Sequence, residues 1–216
     1  MYINRIDAGK ILLEEILKRG LATSLSFVFA IPRGGIEVAY PIAEGIGKRI
    51  VPVVVHKIPS SINEEFAIGA ISVFGDITLN EYARNESEDY ILKIKEEMLR
   101  KLKERVKFLG GEFNFNLVKG KEILVVDDGV ATGETLVLAV ESIREFEPSR
   151  TIIAIPVSSF EAYEKLSTLG EVICPLVDRY FYAVSGYYEE FSQLSDEEAK
   201  KYIEKSLDFE SRRGPK

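Results

Sequence analysis

One stretch constrains the fold of this chain more than any other; it runs from Lys121 to Val137 and reads KEILVVDDGVATGETLV. Its four apolar residues from Ile123 to Val126 predict a strand buried on both faces, as in a parallel sheet covered by helices. Two aspartates, Asp127 and Asp128, end this strand, and a turn of small residues leads into an amphipathic helix. The aspartates therefore belong at the carboxyl edge of the sheet, where open α/β sheets bind ligands.

The turn after the aspartates has the composition of a phosphate-binding loop. Its small residues let a ligand approach the backbone, and two threonine hydroxyls lie beside amides at the start of a helix. Carboxylates repel phosphate, so a strand end that offers both suits a sugar phosphate. Asp127 and Asp128 would accept hydrogen bonds from vicinal ribose hydroxyls. The 5-phosphate would be held by the loop residues Gly129, Val130, Ala131, Thr132, Gly133, Glu134 and Thr135.

The segment VVDDGVATGET closely resembles the signature of type I phosphoribosyltransferases for 5-phosphoribosyl 1-pyrophosphate (PRPP). This resemblance implies an α/β fold, a doubly wound parallel sheet of about five strands with flanking helices and a small hood. It implies transfer of the 5-phosphoribosyl group from PRPP to a nitrogenous base, with release of pyrophosphate. Mg²⁺ would neutralise charge and be carried by PRPP oxygens rather than by a protein cage. A P-loop is excluded, because Gly133 is followed by Glu134 rather than lysine.

A second strand, Leu25 to Ile31, leads directly into Pro32, Arg33 and two glycines. In the resembled family this turn grips the pyrophosphate, so Arg33 and Gly34 are the predicted pyrophosphate-binding residues. The resemblance also implies a non-proline cis peptide there, and the bond between Arg33 and Gly34 is the expected one. A strand-to-helix turn that merely needs glycine is the alternative interpretation.

The apolar run Val51 to Val55 predicts another parallel strand, which would bring His56 and Lys57 to the same edge. Lys57 is interpreted as a catalytic charge near the leaving group. For His56, the only histidine of the chain, a structural role is favoured over general-base chemistry. Residues 58–85 predict a flexible loop or hairpin that closes over the substrate in the resembled family and excludes water.

Aromatic residues crowd the segment 178–192, which resembles the hood of purine phosphoribosyltransferases. A purine is therefore the favoured base, stacked near Tyr180, Phe181 and Tyr182; core packing or a dimer contact is the alternative. Ala131 departs from this pattern, because enzymes for 6-oxopurines carry an acid there, whereas the orotate and adenine enzymes resemble this chain. The strings PRGG, HKIPSSINEEFAIGAI and FYAVSGYYEEF resemble a poorly characterised branch of predicted phosphoribosyltransferases.

The composition of the chain limits the binding partners and the cell compartment that we expect. The formal net charge of −7 argues against a nucleic-acid surface and against anionic membranes, and no apolar run is long enough to cross a membrane. The single cysteine cannot form an internal disulfide, so a cytoplasmic protein is expected. The family resemblance implies a role in nucleotide salvage. We expect one domain over 1–216, assembled as a homodimer. A helix from Asp7 to Arg19 shows no visible chemistry, and the tail SRRGPK is expected to fray.

Two functions from other classes stay open. The domain could be a PRPP sensor that binds without turnover, although no DNA-binding segment or basic patch accompanies it. It could also hydrolyse a phosphoribosyl compound, with the 58–85 segment admitting water.

Overall fold

The computed structural model describes residues 1–211, so the predicted fraying of the tail falls, apart from Ser211, outside the described residues. The strands are β1 (Leu25–Ala30), β2 (Ile50–Pro52), β3 (Val55–Pro59), β4 (Ala67–Ser72), β5 (Ile77–Leu79), β6 (Glu122–Val126), β7 (Arg150–Ala154), β8 (Val157–Ser159), β9 (Glu171–Ile173) and β10 (Leu176–Asp178). The helices are α1 (Arg5–Lys18), α2 (Gly34–Ile46), α3 (Glu88–Phe108), α4 (Glu134–Arg144), α5 (Phe160–Ser167) and α6 (Asp196–Ser211).

The main sheet has five parallel strands in the order β2-β1-β6-β7-β9, which confirms the predicted fold class. β6, the strand that precedes the two aspartates, lies at its centre. Alternate residues of β6 face two separate cores: Leu124 and Val126 pack into the core that includes α1, α2 and α6, whereas Ile123 and Val125 pack into the core that includes α4 and α5. The register pairs Ala30, Val126 and Ala154, so the polar segments after β1 and β6 start at the same edge.

Three apolar runs that favour single strands form shorter ones, and each strand ends at a proline or two residues before one. The run Val51 to Val55 is divided at Pro52, so that Val55 already belongs to β3. The runs Arg150 to Val157 and Glu171 to Val177 are interrupted near Pro156 and Pro175. Proline lacks the N–H that continues a ladder. The residues after these two breaks form a small parallel sheet of β8 and β10 beside the main one.

Residues 58–85 contain an antiparallel hairpin sheet rather than an irregular loop. β3 pairs with β4 and β4 with β5. The chain then enters α3, which begins after Ser87; the Ser87 side chain accepts a hydrogen bond from the Tyr90 amide at 3.2 Å. Helix α3 packs against β3 and β4, so the hairpin and this helix form one unit at the carboxyl side of the sheet.

Candidate functional site

Asp127 and Asp128 lie at the carboxyl end of β6, where the sequence predicted them. The Asp128 amide donates to Asp127 Oδ1 at 2.9 Å, which fixes the two acids relative to each other. Tyr188 donates its hydroxyl to the Asp128 carbonyl oxygen at 2.5 Å, so the C-terminal aromatic segment holds the backbone of this turn in place.

Arg5 is a site residue that the sequence analysis missed. Its side chain is buried, and its Nε donates to Asp128 Oδ2 at 2.7 Å. Its Nη1 donates to the Ser192 carbonyl oxygen at 2.8 Å, and its guanidinium lies 3.9 Å from the centre of the Phe191 ring. The first helix, predicted to carry no chemistry, therefore supplies the cation that pairs with one of the two acids. An arginine at the start of an amphipathic helix gave no local signal, because its partner is 123 positions away.

The electrostatics of the two acids differ. Burial raises the pKa of Asp127 well above its ordinary value, and the neighbouring charge of Asp128 raises it further. Burial also raises the pKa of Asp128, but Arg5 opposes that shift through its charge and its hydrogen bond. The pair therefore keeps its charge most readily on Asp128. A ligand that brings hydroxyl donors or positive charge to Asp127 would favour ionisation of Asp127, so that both acids would be charged.

The turn after β1 approaches the acids closely. A Cβ added to Gly34 would lie 1.8 Å from Asp128 Oδ2, and one added to Gly35 would lie 2.8 Å from the Val126 carbonyl oxygen. Only glycine allows the approach of two backbones at Gly35 and the approach of the Asp128 carboxylate to the backbone at Gly34. The non-proline cis peptide joins Pro32 to Arg33, one bond earlier than expected. The bond between Arg33 and Gly34 instead leads directly into α2, which begins at Gly34 with regular helical geometry.

The segment after the acids forms the predicted loop at the N-terminus of α4. Gly133 caps the helix with φ of 82°, a conformation that favours glycine. Hydrogen bonds from β8 hold one side of the loop. The Val130 amide donates to the Val157 carbonyl oxygen, and the Ser159 hydroxyl donates to the Ala131 carbonyl oxygen at 2.6 Å. The loop lines a cavity of about 300 Å³, called here the loop cavity, whose walls include Ile31, Pro32, Lys57, Asp127, Gly129, Val130, Ala131, Thr132, Gly133, Glu134, Thr135, Leu136 and Val184.

A second cavity of about 550 Å³, called here the arginine cleft, lies on the other side of the acids. Its lining includes three arginines, both aspartates and the turn after β1: Arg5, Pro32, Arg33, Gly34, Arg105, Asp127, Asp128, Phe191, Gln193 and Leu194. The loop cavity and the arginine cleft share Pro32 and Asp127. The predicted phosphate-binding and pyrophosphate-binding residues therefore lie in two adjoining cavities with the acids between them.

His56 and Lys57 lie inside β3 rather than at the end of a main-sheet strand, because β2 stops at Pro52. Consecutive residues of a strand point to opposite faces, and these two line different cavities. Lys57 lines the loop cavity, so its charge lies nearer to the predicted 5-phosphate than to the arginine cleft. His56 is exposed, and its Nδ1 lies 3.0 Å from the Lys57 carbonyl oxygen.

The three predicted base-binding residues are placed differently from one another. Tyr180 and Tyr182 are 93% and 97% exposed, whereas the Phe181 ring stacks on Tyr187 at 5.2 Å. Phe181 and Tyr182 line a cavity of about 490 Å³, called here the hood cavity, and Tyr180 lies outside it. The hood cavity reaches the phosphate loop at Ala131 and Thr132; its other lining residues are Ser159, Phe160, Glu161 and Arg179.

The comparisons with known proteins decide the family. The model of the phosphoribosyl transferase domain matches residues 3–175, which is most of the chain. The chain belongs to the phosphoribosyl transferase domain family. The match includes the acids, the loop and the turn after β1, and it ends before the aromatic hood segment. The predicted base-binding residues Tyr180, Phe181 and Tyr182 therefore lie outside the part that the family model matches.

The relatives agree with this family. Two strains of Mycobacterium tuberculosis each have a protein named "Putative phosphoribosyl transferase", 28% identical over 211 residues and covering 95% of this chain and 47% of the relative. The chain thus spans about half the length of these curated relatives. The crystal structure of the protein TT1426 from Thermus thermophilus superposes with a TM-score of 0.73 at 31% identity, covering 94% of this chain and 98% of that one.

A purine phosphoribosyltransferase from Pyrococcus horikoshii has a TM-score of 0.52 at 15% identity, covering 90% of this chain and 97% of that one. At this identity the likeness shows the phosphoribosyltransferase fold alone. Within residues 1–211, no cluster of three or more histidine, cysteine or acidic side chains is arranged to hold a metal ion. No helix in the same residues is both long and apolar enough to cross a membrane.

Proposed function

We propose that the chain transfers the 5-phosphoribosyl group of PRPP to a ring nitrogen of a base and releases pyrophosphate. The observation that carries this proposal is the meeting of the loop cavity and the arginine cleft at Asp127 and Pro32. PRPP has a phosphate at one end, a pyrophosphate at the other and a ribose diol between them. Two anion-binding cavities separated by a pair of carboxylates match that order of groups.

The proposed contacts at the ribose and the 5-phosphate follow from this match. The carboxylates of Asp127 and Asp128 accept hydrogen bonds from the ribose hydroxyls, and Arg5 leaves the second oxygen of Asp128 for the ligand. The amides from Gly129 to Thr135 and the Thr132 and Thr135 hydroxyls hold the 5-phosphate at the N-terminus of α4. Glu134 contributes its amide, because its exposed carboxylate would repel the phosphate.

At the other end, Arg33 and the Gly34 backbone meet the pyrophosphate. Catalysis then comes from holding the two reactants in line and from stabilising negative charge on the leaving group. Arg33 lines the arginine cleft, which supports assigning it the second task. Lys57 lines the loop cavity instead, so its proposed contribution at the leaving group requires closure of the hairpin that carries it.

A magnesium ion fits this site as part of the substrate complex. The chain offers two adjacent carboxylates rather than a preformed cage, and burial together with the charge of Asp128 raises the pKa of Asp127, so positive charge nearby would favour its ionised form. PRPP oxygens and water would carry the ion near Asp127 and Asp128, without a direct bond to the protein. Its chemistry there is neutralisation of the pyrophosphate charge.

A purine is the proposed base. The hood cavity adjoins the phosphate loop and carries the Phe181 and Tyr182 rings, which offer flat apolar surface to a bicyclic base. Ala131 presents no acid toward this cavity, which favours a base other than a 6-oxopurine. The homodimer and the cytoplasmic location expected from the sequence stay predictions.

The test is to incubate the protein with PRPP, Mg²⁺ and a panel of free bases while following pyrophosphate release. Release that depends on one base identifies a transferase and its acceptor. Release without any base would identify a hydrolase, and tight PRPP binding with no release would identify a sensor. Asp128→Asn should weaken PRPP binding in all three cases, with Asp208→Asn as a matched control at an exposed residue that lies outside both cavities.

A further inference from the structure

A further cavity of about 450 Å³ adjoins the arginine cleft and shares Arg33 and Arg105 with it. We call it the basic cavity. It is built from four parts of the chain that the family resemblance does not connect: the turn after β1, strand β3 through His56, helix α3 through Lys101 and Arg105, and the start of α6 through Asp196. No role proposed above involves His56, Lys101 or Arg105.

The lining carries an excess of positive charge. Arg33, Lys101 and Arg105 are cations, and Asp196 is the one acid of the lining, with its Oδ1 2.7 Å from Arg105 Nη2. Lys101 also contacts Glu97 at 2.6 Å, but both side chains are exposed. An exposed pair of this kind contributes little to stability, so Lys101 can exchange that partner for a ligand. A local excess of cations in a chain of net charge −7 points to an anionic ligand.

Two guanidinium groups in this cavity have unused donors. Within residues 1–211, Arg33 forms no ion pair or side-chain hydrogen bond. Arg105 Nε is buried and has no hydrogen-bond acceptor in the same residues. Buried donors are nearly always paired, so an orphaned one beside a cavity indicates a missing acceptor. Met98 and Leu102, both buried, form the apolar part of the lining and strengthen charged contacts there by excluding water.

We propose that the basic cavity is a second anion-binding site that takes a phosphoryl group. Guanidinium groups bind phosphoryl oxygens in pairs, and Arg33 and Arg105 supply two such groups with Lys101 as a third cation. The occupant is either pyrophosphate that has left the arginine cleft or a separate phosphorylated molecule from solution. Because Arg33 and Arg105 line both cavities, an anion in the basic cavity competes for the cations that face the arginine cleft. Occupancy by released pyrophosphate rests on the proposed function, whereas occupancy by a separate phosphorylated molecule does not.

Calorimetric titration with inorganic pyrophosphate tests this site. Lys101 lines the basic cavity only, so Lys101→Gln should weaken pyrophosphate binding about fivefold or more, the loss typical of one charged contact. Lys103→Gln removes the same charge from the same helix at a residue outside both cavities and is the matched control. PRPP affinity, measured in parallel, should change by less than about twofold in both variants, because screening weakens charges acting at a distance.

Equal effects of the two substitutions on pyrophosphate binding would overturn the proposal, since they would reduce it to general charge attraction. An equal loss of PRPP affinity in Lys101→Gln would also overturn it, by placing Lys101 at the arginine cleft. A protein that binds no PRPP but shows Lys101-dependent pyrophosphate binding would refute the proposed function and support this site. Repeating the titration in saturating PRPP identifies the source: Lys101-dependent binding that persists indicates a separate phosphorylated molecule, Lys101-dependent binding that disappears indicates the leaving pyrophosphate, and a lost component that does not depend on Lys101 belongs to the arginine cleft and overturns the proposal if it is the whole of the binding.

Discussion

Arg5→Gln should destabilise the protein more than its place near the N-terminus suggests. The Arg5 side chain is 7% exposed and the Asp128 side chain 18% exposed, so the substitution leaves a largely buried carboxylate without its cation. Glu37, with its Oε2 3.6 Å from Arg5 Nη1, loses the same cation. Removing one partner of a fully buried pair costs about 3 to 5 kcal/mol. Because Asp128 keeps some contact with water in the arginine cleft, we expect about 2 to 3 kcal/mol, or a melting temperature lower by about 6 to 9 °C.

Urea unfolding of the variant measures this loss, and Arg19→Gln is the matched control. Arg19 lies directly after the last residue of the same helix, and its contact with Glu171 at 3.2 Å joins side chains that are 41% and 32% exposed, so its loss should cost less than about 1 kcal/mol. The deficit of Arg5→Gln should shrink at acid pH, because a protonated Asp128 needs no cation. A loss no larger than that of Arg19→Gln, or one that does not change with pH, would refute this reasoning.

Two further substitutions test the acids and the turn beside them. Asp127→Asn should stabilise the free protein at neutral pH. Folding raises the pKa of Asp127 well above 3.8, so protonated Asp127 contributes fully to the stability of the fold below pH 3.8. This contribution is lost as the pH rises through the raised pKa of the folded state. Urea midpoints across this range should fall with pH in the wild type and fall less in the variant; parallel curves would contradict the assignment. Gly34→Ala places a methyl group 1.8 Å from Asp128 Oδ2, so it should lower the free energy of unfolding by about 1 to 3 kcal/mol and weaken PRPP binding. Gly186→Ala adds a methyl group with nothing within 4 Å and should change neither quantity.

Local sequence signals predicted the parallel core well, because they depend on nearest neighbours in the chain. The apolar run before Asp127 is buried on both faces at the centre of the sheet, as its lack of alternation indicates. The same run-based reasoning overextended the strands that contain Pro52, Pro156 and Pro175. An apolar run shows that residues are buried, but it does not show which sheet buries them. The hairpin sheet of residues 58–85 was harder to predict, since its strands are short and only partly buried.

The candidate site also contains residues that the local sequence predicts and residues that it does not. The acids, the phosphate loop and the turn at Arg33 could be predicted, because each is a contiguous motif at a strand end. Arg5 and Tyr188 could not, because each reaches Asp128 from a distant part of the chain through a single contact. Lys57 was predicted as a site residue by its place after an apolar run, yet it reaches the loop cavity from the hairpin sheet. Long-range contacts of single side chains leave no pattern in the local sequence.

The most direct test of the central claim is a calorimetric titration of the wild type, Asp127→Asn and Asp128→Asn with PRPP and Mg²⁺. The account predicts that one PRPP binds per chain, that both substitutions weaken this binding about tenfold or more, and that ribose 5-phosphate competes for the same site. Absence of binding heat in the wild type, or PRPP affinity unchanged by both substitutions, would contradict it.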